Sequence, residues 1–274
     1  MINVATSLPR SAALLAGALV GVPSTLGLVL TNQISRARRQ GLMPLPDYVV
    51  DVVVEPPWVA GPPLRIAFLG DSLVHGVGAP LPGQSLPAQT AYRLAAHLGR
   101  PVHMKGFGVA SSRVEDVITE QVPQLDEQVE VVLVSVGAND ATRAATPWDF
   151  ARHIQNLAVL ASRQTGGAPV VFTGLPYLQS APLLGRPLRD VAGLLGNTLH
   201  TVQRSVATQM PEARYIDVRR EVVDAIRQRR LELFAEDRYH PNPAGYALLA
   251  EGIARSLAEL LIAEGFHTTH TSAA

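Results

Sequence analysis

The stretch Leu64-Arg-Ile-Ala-Phe-Leu-Gly-Asp-Ser-Leu73 decides how this 274-residue chain is interpreted. Residues 64–69 are mostly apolar and end abruptly at Gly70-Asp71-Ser72, a pattern typical of a buried strand that delivers a serine into a tight turn. In an open α/β sheet, ligands bind outside the carboxyl ends of the strands. A serine at that point can be a nucleophile if the chain also supplies a base and donors for an oxyanion.

The composition is that of a globular protein with a substantial core. Hydrophobic residues make up 47% of the chain, charged residues 17%, and the formal net charge is zero. Because there is no basic excess and the arginines are dispersed, we expect no nucleic-acid partner. The absence of cysteine excludes a disulfide framework, a thiol nucleophile and a cysteine-based metal site.

The N-terminal region contains an uncharged apolar stretch over residues 12–30. A helix of that length spans roughly 28 Å, about one bilayer core. No clear cleavage site follows, so we expect residues 1–35 to form a hydrophobic helix that anchors the protein to a membrane, on a side that the flanking arginines leave open. A cleaved signal peptide, giving a secreted protein, and a helix packed on the domain are the alternatives. Six prolines predict a stiff linker over residues 36–63.

The main domain is predicted over residues 64–264, followed by a disordered tail over 265–274. Short β-rich runs alternate in it with longer helical patterns, and the run around Val131 is apolar on both faces, as in a parallel strand covered by helices. This alternation predicts an α/β fold, a three-layer α/β/α sandwich with a five-stranded parallel sheet. The predicted strands are 64–69, 101–104, 129–136, 168–173 and 214–218.

Three helices carry clear end signals. Residues 86–98 precede Gly99, which fits the left-handed position after a helix. Thr146 stands before Pro147 as an N-cap, and the last helix is predicted from Pro243 to beyond Leu261. The apolar faces expected to point inward are Phe150, Ile154, Leu157 and Ala161 in the second helix, and Leu249, Ile253, Leu257 and Leu260 in the third.

Two further turns follow predicted strands and share the edge at which Gly70-Asp71-Ser72 lies. One contains Gly106 and Gly108, and the other is Gly137-Ala138-Asn139-Asp140. Gly108 lacks a Cβ, so its backbone N–H can approach a ligand closely, and Asn139 offers a side-chain NH₂. With the N–H of Ser72 these groups would make an oxyanion hole with three donors.

The candidate base lies just before the last helix, where Asp237 precedes His240 by three residues. Such a carboxylate can accept from the ring Nδ1–H and leave Nε2 free to take a proton from Ser72. Each motif alone is more often a structural turn, a cap or a surface ion pair. Their joint occurrence, each after the appropriate strand, favours a functional site.

The four blocks together resemble the SGNH, or GDSL, hydrolase family, which is named for a Ser, a Gly, an Asn and a His in successive blocks. The resemblance covers roughly residues 64–262. The matching blocks are Gly70-Asp71-Ser72-Leu73, Gly108, Gly137-Ala138-Asn139-Asp140 and Asp237-Arg238-Tyr239-His240-Pro241.

The resemblance implies a flavodoxin-like sheet in the order 2-1-3-4-5 and hydrolysis of acyl or acetyl esters, as in esterases and lipases, with no cofactor and no metal. It implies that Ser72 is the nucleophile, that His240 is the base and that Asp237 orients it. It also implies that Gly108 and Asn139, with the N–H of Ser72, stabilise the oxyanion. An acyltransferase using the same triad is the alternative, and a non-catalytic binding module is less favoured because all of these residues are present.

Two features qualify the resemblance. Family members often have Asn and Gly where this chain has Gly106 and Ser111, which affects loop rigidity and leaves the Gly108 donor available. No Gly-x-Ser-x-Gly motif occurs, which argues against the ordinary α/β-hydrolase fold.

Residues 176–188 are apolar and proline-rich, typical either of a wall around an acyl pocket or of a loop packed on the core. With residues 12–30, they favour a small-molecule or lipid-like ester as substrate.

Overall fold

A computed structural model describes residues 43–57, 59 and 61–266. Its six strands form one sheet with the order β1-β3-β2-β4-β5-β6, in which β2 to β6 are parallel and β1 is antiparallel to β3. The strands are β1 (Asp51–Val54), β2 (Leu64–Gly70), β3 (Val102–Gly106), β4 (Val131–Ser135), β5 (Val170–Phe172) and β6 (Ala213–Tyr215).

The five parallel strands have the predicted order, but the prediction of a five-stranded, wholly parallel sheet is wrong. Strand β1 extends the sheet and lies inside residues 36–63, which the prolines assigned to a linker. The Asp51 carboxylate oxygen Oδ1 on β1 lies 2.6 Å from the ring nitrogen Nε2 of His103 on β3. Pro56 and Pro57 come just after β1, at the edge of the sheet, where a missing N–H costs no ladder bond.

Helices cover both faces of the sheet. They are α1 (Ser72–His75), α2 (Leu86–Leu98), α3 (Val114–Asp116), α4 (Ala138–Thr142), α5 (Pro147–Gln164), α6 (Leu188–Ala207), α7 (Val218–Arg229) and α8 (Pro243–Ala263). A π-helical turn (Val117–Gln121) and a 3₁₀ turn (Val122–Gln124) continue α3. Three more 3₁₀ turns are Pro82–Gln84, Leu178–Ser180 and Arg230–Glu232.

The core lies in two layers because side chains alternate along each buried strand. On β4, Val132 and Val134 pack with α5 and α6, whereas Val131 and Leu133 pack with α2 and α8, and all four are fully buried. A strand that is apolar on both faces therefore has helices on both sides, as its sequence predicts.

The predicted helices are confirmed in their main features. Helix α2 ends at Gly99, which has the left-handed conformation at φ 57°. The Thr146 hydroxyl accepts from the Asp149 backbone N–H and caps α5, whose four predicted inward residues are fully buried. Helix α8 starts at Pro243 after an Asn242 cap, and its predicted inward residues pack on the core.

The predicted anchor in residues 1–35 lies outside the described residues, as does most of the predicted tail. Among the helices of the described ranges, none has the length and apolarity that crossing a membrane requires.

Candidate active site

Ser72 follows strand β2 at the carboxyl edge of the sheet, and Gly70, the last residue of the strand, is held in place there. Gly70 is held on both sides by one buried amide, since Gln121 Oε1 accepts from its N–H at 2.9 Å and Gln121 Nε2 donates to its carbonyl at 2.8 Å. A Cβ on Gly70 would lie 2.2 Å from the carbonyl oxygen of Ser135. Glycine is therefore required where β2 meets β4, and the next residues begin α1.

Ser72 is the first residue of α1, and Asp71 caps that helix. The Asp71 carboxylate accepts from the Leu73 backbone N–H at 3.1 Å. The first N–H groups of a helix have no partner within it. Ser72 is one of these first residues, and it lies at the helix end whose dipole favours negative charge.

The structure brings the three predicted side chains together. His240 Nε2 lies 3.1 Å from Ser72 Oγ, and His240 Nδ1 lies 2.6 Å from Asp237 Oδ2, although Ser72 and His240 are 168 positions apart. Because the carboxylate accepts from Nδ1–H, Nε2 carries the lone pair and the serine hydroxyl donates to it. This is the geometry of a nucleophile, a base and an orienting acid.

The carboxylate of Asp237 is held in its ionised form. Burial acts to raise its pKa, but hydrogen bonds from the His240 ring and from the backbone N–H groups of Tyr239 and His240 outweigh burial and lower the pKa to about 2. Both of those backbone groups donate to Oδ1 at 2.9 Å. Asp237 is therefore negatively charged at neutral pH and can stabilise an imidazolium at His240.

Gly108 lies directly against α1, which leaves no space for a side chain at that position. A Cβ there would lie 2.3 Å from the His75 backbone nitrogen and 2.5 Å from the Val74 carbonyl carbon. Ser111 adopts φ 70°, a left-handed conformation that glycine takes most easily.

Asn139 lies in α4, just after β4, and its side-chain amide is oriented by one hydrogen bond. Its Nδ2 donates to the Ser112 carbonyl at 3.1 Å. An NH₂ group has two N–H donors, so one remains for a ligand. Gly137 precedes α4 at φ 122°, and a Cβ there would lie 2.9 Å from the Leu175 side chain.

A cavity of about 180 Å³ opens beside Ser72 and His240, and Asn139 and Ser111 also line it. Most of its wall is apolar and comes from the segment after β5, from α7 and from α8. Apolar lining residues include Leu175, Leu178, Val222, Ile226, Leu248 and Leu249. Within the apolar stretch 176–188, residues 176–178, 180 and 181 line the cavity, and the last residue of the stretch begins α6.

One residue that the sequence analysis missed holds this wall in place. The Arg219 guanidinium is buried and donates to the carbonyls of Leu175, Pro176 and Gly196 and to Asn197 Oδ1. It also lies over the Tyr177 ring, 4.7 Å from the ring centre. Burial lowers the pKa of Arg219 to about 10, which still leaves it charged at neutral pH.

Sequence reasoning also missed the buried amide of Gln121 and the buried carboxyl of Asp71. Desolvation raises the pKa of Asp71 to about 6, and the same cause raises that of Asp140 to about 6. Asp71 belongs to the Gly-Asp-Ser motif, so its position carried a signal. Gln121 and Arg219 belong to no local motif and are recognised only from their contacts.

A serine, a histidine and an aspartate joined in this way at the carboxyl edge of a flavodoxin-like sheet define a class of serine hydrolases. Comparison with known families identifies the particular branch. The model of the GDSL-like Lipase/Acylhydrolase family matches residues 68–248. The chain therefore belongs to the GDSL-like lipase/acylhydrolase family. A comparison with curated proteins found no match.

Solved structures share the fold at low sequence identity. The lipase Lip_vut3 from a goat rumen metagenome is 18% identical, with a TM-score of 0.55 over 75% of this chain and 99% of the lipase. The psychrotrophic esterase EstA from Pseudoalteromonas sp. is 12% identical, with a TM-score of 0.57 over 73% and 99%. The salicylyl-acyltransferase SsfX3 from a tetracycline biosynthetic pathway is 20% identical, with a TM-score of 0.55 over 74% and 56%.

Proposed function

We propose that the protein is a serine hydrolase that cleaves carboxylic esters through an acyl-enzyme intermediate. The observation that carries this proposal is the continuous chain of hydrogen bonds from Ser72 through His240 to Asp237 at the rim of an apolar cavity. Membership of a lipase and acylhydrolase family supports the same reaction class.

In the first half of the reaction, Ser72 Oγ attacks the ester carbonyl carbon and its proton passes to His240 Nε2. Negative charge develops on the carbonyl oxygen, which accepts from the N–H groups of Ser72 and Gly108 and from the Asn139 amide. Asp237 stabilises the imidazolium that forms and holds the ring in the required orientation.

The tetrahedral intermediate then collapses, and the bond to the leaving oxygen breaks. His240 Nε2 returns its proton to that oxygen, so an alcohol leaves and the acyl group stays on Ser72. In the second half, a water molecule gives a proton to Nε2 and attacks the acyl carbon. The acid is released and the proton returns to Ser72 Oγ.

The mostly apolar lining of the cavity supports an acyl group with an aliphatic chain as the substrate portion bound there. Apart from Arg219 and Gly245, the lining residues that α7 and α8 contribute are aliphatic. Each buried methylene stabilises binding by about 0.8 kcal/mol, or about fourfold. In a series of p-nitrophenyl esters, kcat/KM should therefore rise by about that factor per methylene until the cavity is full. No preference beyond acetyl would argue against an acyl cavity.

Substitution of the nucleophile tests the reaction itself. Ser72→Ala should lower kcat on p-nitrophenyl acetate by at least about 10⁴-fold while the melting temperature stays near that of the wild type. Ser205→Ala, in α6 and outside the cavity lining, serves as the matched control. A fluorophosphonate should label the wild type and the control and leave Ser72→Ala unlabelled. Undiminished turnover by Ser72→Ala would rule out this mechanism.

Acyl transfer to an alcohol or sugar is the second candidate, favoured by the structural likeness to an acyltransferase. The same acyl-enzyme would form, and an acceptor hydroxyl would replace water in the second half. Adding an alcohol acceptor during turnover separates the two reactions. Ester product forming faster than free acid would favour the transferase, whereas free acid as the main product would favour the hydrolase.

A further inference from the structure

A short segment ahead of the sheet runs along the active site. We call residues 43–48 the strap. Its last residue is anchored, because the Tyr48 hydroxyl donates to the carbonyl of Ala79 at 2.9 Å and contacts that of Gly76 at 3.3 Å. Burial raises the pKa of Tyr48 to about 12, so this hydroxyl keeps its proton and remains a donor at neutral pH. The strap is thereby fixed to the turn that follows α1.

The first residue of the strap contacts the acid of the triad. The Met43 backbone N–H donates to Asp237 Oδ2 at 3.2 Å, across 194 positions of sequence. Oδ2 is also the atom that accepts from His240 Nδ1. Oδ1 accepts from the backbone N–H groups of Tyr239 and His240 in its own turn, whereas Met43 supplies a donor to the carboxylate from outside that turn.

The middle of the strap contacts the loop that carries Gly108, through the side chain of His75. The Ala110 backbone N–H lies 3.3 Å from His75 Nδ1, and His75 Nε2 lies 3.2 Å from the Pro46 carbonyl. A backbone N–H can only donate, so Nδ1 is the acceptor and Nε2 carries the proton that is donated to Pro46. The His75 ring therefore joins the strap to the loop that carries Gly108.

The strap also forms part of the cavity wall. Met43 and Leu45 are among its lining residues. Leu45 is 61% exposed, so an apolar side chain stands at the mouth of the cavity, where a substrate would cover it. Val49, one residue beyond the strap, is 74% exposed and does not line the cavity.

We propose that the strap forms part of the active site, and this proposal rests on the function proposed above. Met43 is a positioning residue, whose backbone N–H fixes the Asp237 carboxylate against His240. The His75 side chain joins the strap to the loop that carries Gly108. Leu45 determines specificity by contacting the acyl chain at the mouth of the cavity.

The contact with Asp237 is tested by removing one hydrogen atom. Met43→Pro abolishes the backbone N–H, whereas Met43→Ala keeps it and shortens the side chain, which makes the pair a matched comparison. A hydrogen bond to a charged acceptor that helps only the transition state is worth roughly tenfold in rate. In the full chain, Met43→Pro should lower kcat on p-nitrophenyl acetate by about that factor, with KM within about twofold, relative to Met43→Ala.

A double-mutant cycle separates positioning from a general structural effect. If Met43 acts through Asp237, Met43→Pro should have little further effect on kcat in an Asp237→Asn background. An equal loss in both backgrounds, or equal kcat for Met43→Pro and Met43→Ala, would overturn the positioning role. The wild type and Ser72→Ala are assayed alongside. Failure of the wild type to turn over or to be labelled would instead count against the proposed function.

The selectivity of the enzyme for ester chain length tests the role of Leu45. Leu45→Ala should lower the ratio of kcat/KM for p-nitrophenyl octanoate to that for the acetate by roughly threefold to tenfold, because apolar contact is lost only with the longer chain. Val49→Ala should leave the ratio unchanged. An unchanged ratio in Leu45→Ala, or an equal change in Val49→Ala, would contradict the assignment.

Discussion

Replacing Gly108 by alanine tests the oxyanion hole directly, because the structure leaves no space for a Cβ at that position. The added atom would lie 2.3 Å from the His75 nitrogen and 2.5 Å from the Val74 carbonyl carbon, both backbone atoms of α1. Ordinary contact begins near 3.4 Å. The loop and the helix that begins with Ser72 must therefore separate by about 1 Å, since a packed interior has no free volume to absorb the atom.

This separation moves the Gly108 N–H relative to Ser72, and so away from the oxyanion that the proposed reaction forms. A misplacement of about 1 Å can cost about 10²-fold in rate, which matches the loss on removing one oxyanion donor. We therefore expect kcat of Gly108→Ala on p-nitrophenyl acetate to fall about 100-fold. Overpacking of this kind also lowers the free energy of unfolding by about 1–3 kcal/mol.

The assay combines steady-state kinetics with a thermal melt, so that loss of rate is compared at a temperature where each variant is folded. Gly83→Ala is the matched control, because its nearest neighbour would be the Tyr92 hydroxyl at 3.9 Å. The control should keep the wild-type kcat. A folded Gly108→Ala enzyme with kcat within about threefold of the wild type would refute the assignment of Gly108 as a donor.

Two further predictions concern buried charge. Burial raises the pKa of Asp71 from 3.8 to about 6, so the folded protein binds that proton more tightly than the unfolded chain. Stability is therefore lost as the pH rises through about 4 to 6, by about 3 kcal/mol in all. The melting temperature of Asp71→Asn should exceed that of the wild type by a difference that grows over this pH range and is constant above it. The exposed Asp224→Asn is the control. A difference that does not depend on pH, or the same difference in Asp224→Asn, would contradict this prediction. Arg219→Met should lower the free energy of unfolding by about 3 kcal/mol, because several carbonyls lose a charged donor, and should raise KM for long-chain esters. Exposed Arg220→Met is the control, and an unchanged melting temperature in Arg219→Met would show that the Arg219 hydrogen bonds contribute little to stability.

The parallel part of the fold was predictable because its signals are local. Each parallel strand is a short apolar run that ends at a turn, and the caps at Thr146 and Gly99 mark the ends of helices within a few residues. The alternation predicts helices where α6 and α7 lie, but the sequence analysis gave no bounds for them. The first follows a proline-rich stretch without a clear period, and the second begins where the last strand was predicted to end.

Strand β1 was missed for a different reason. Its residues are flanked by prolines, and an isolated strand has no stability of its own, so only its pairing with β3 makes it a strand. The sequence pattern could not reveal that partner, because the pairing depends on where the edge of the folded sheet lies.

The sequence by itself determined which residue types stand at the ends of the strands, and so the family and the candidates Ser72, Asp237 and His240. Only the tertiary structure decided the 3.1 Å contact between Ser72 and His240, the hydrogen bonds of Arg219 to the segment after β5 and the contact of Met43 with Asp237. The physical reason is that these contacts join residues far apart in the chain. No periodicity or turn signal encodes such a contact, and it forms only when the packed sheet brings several loops to one edge.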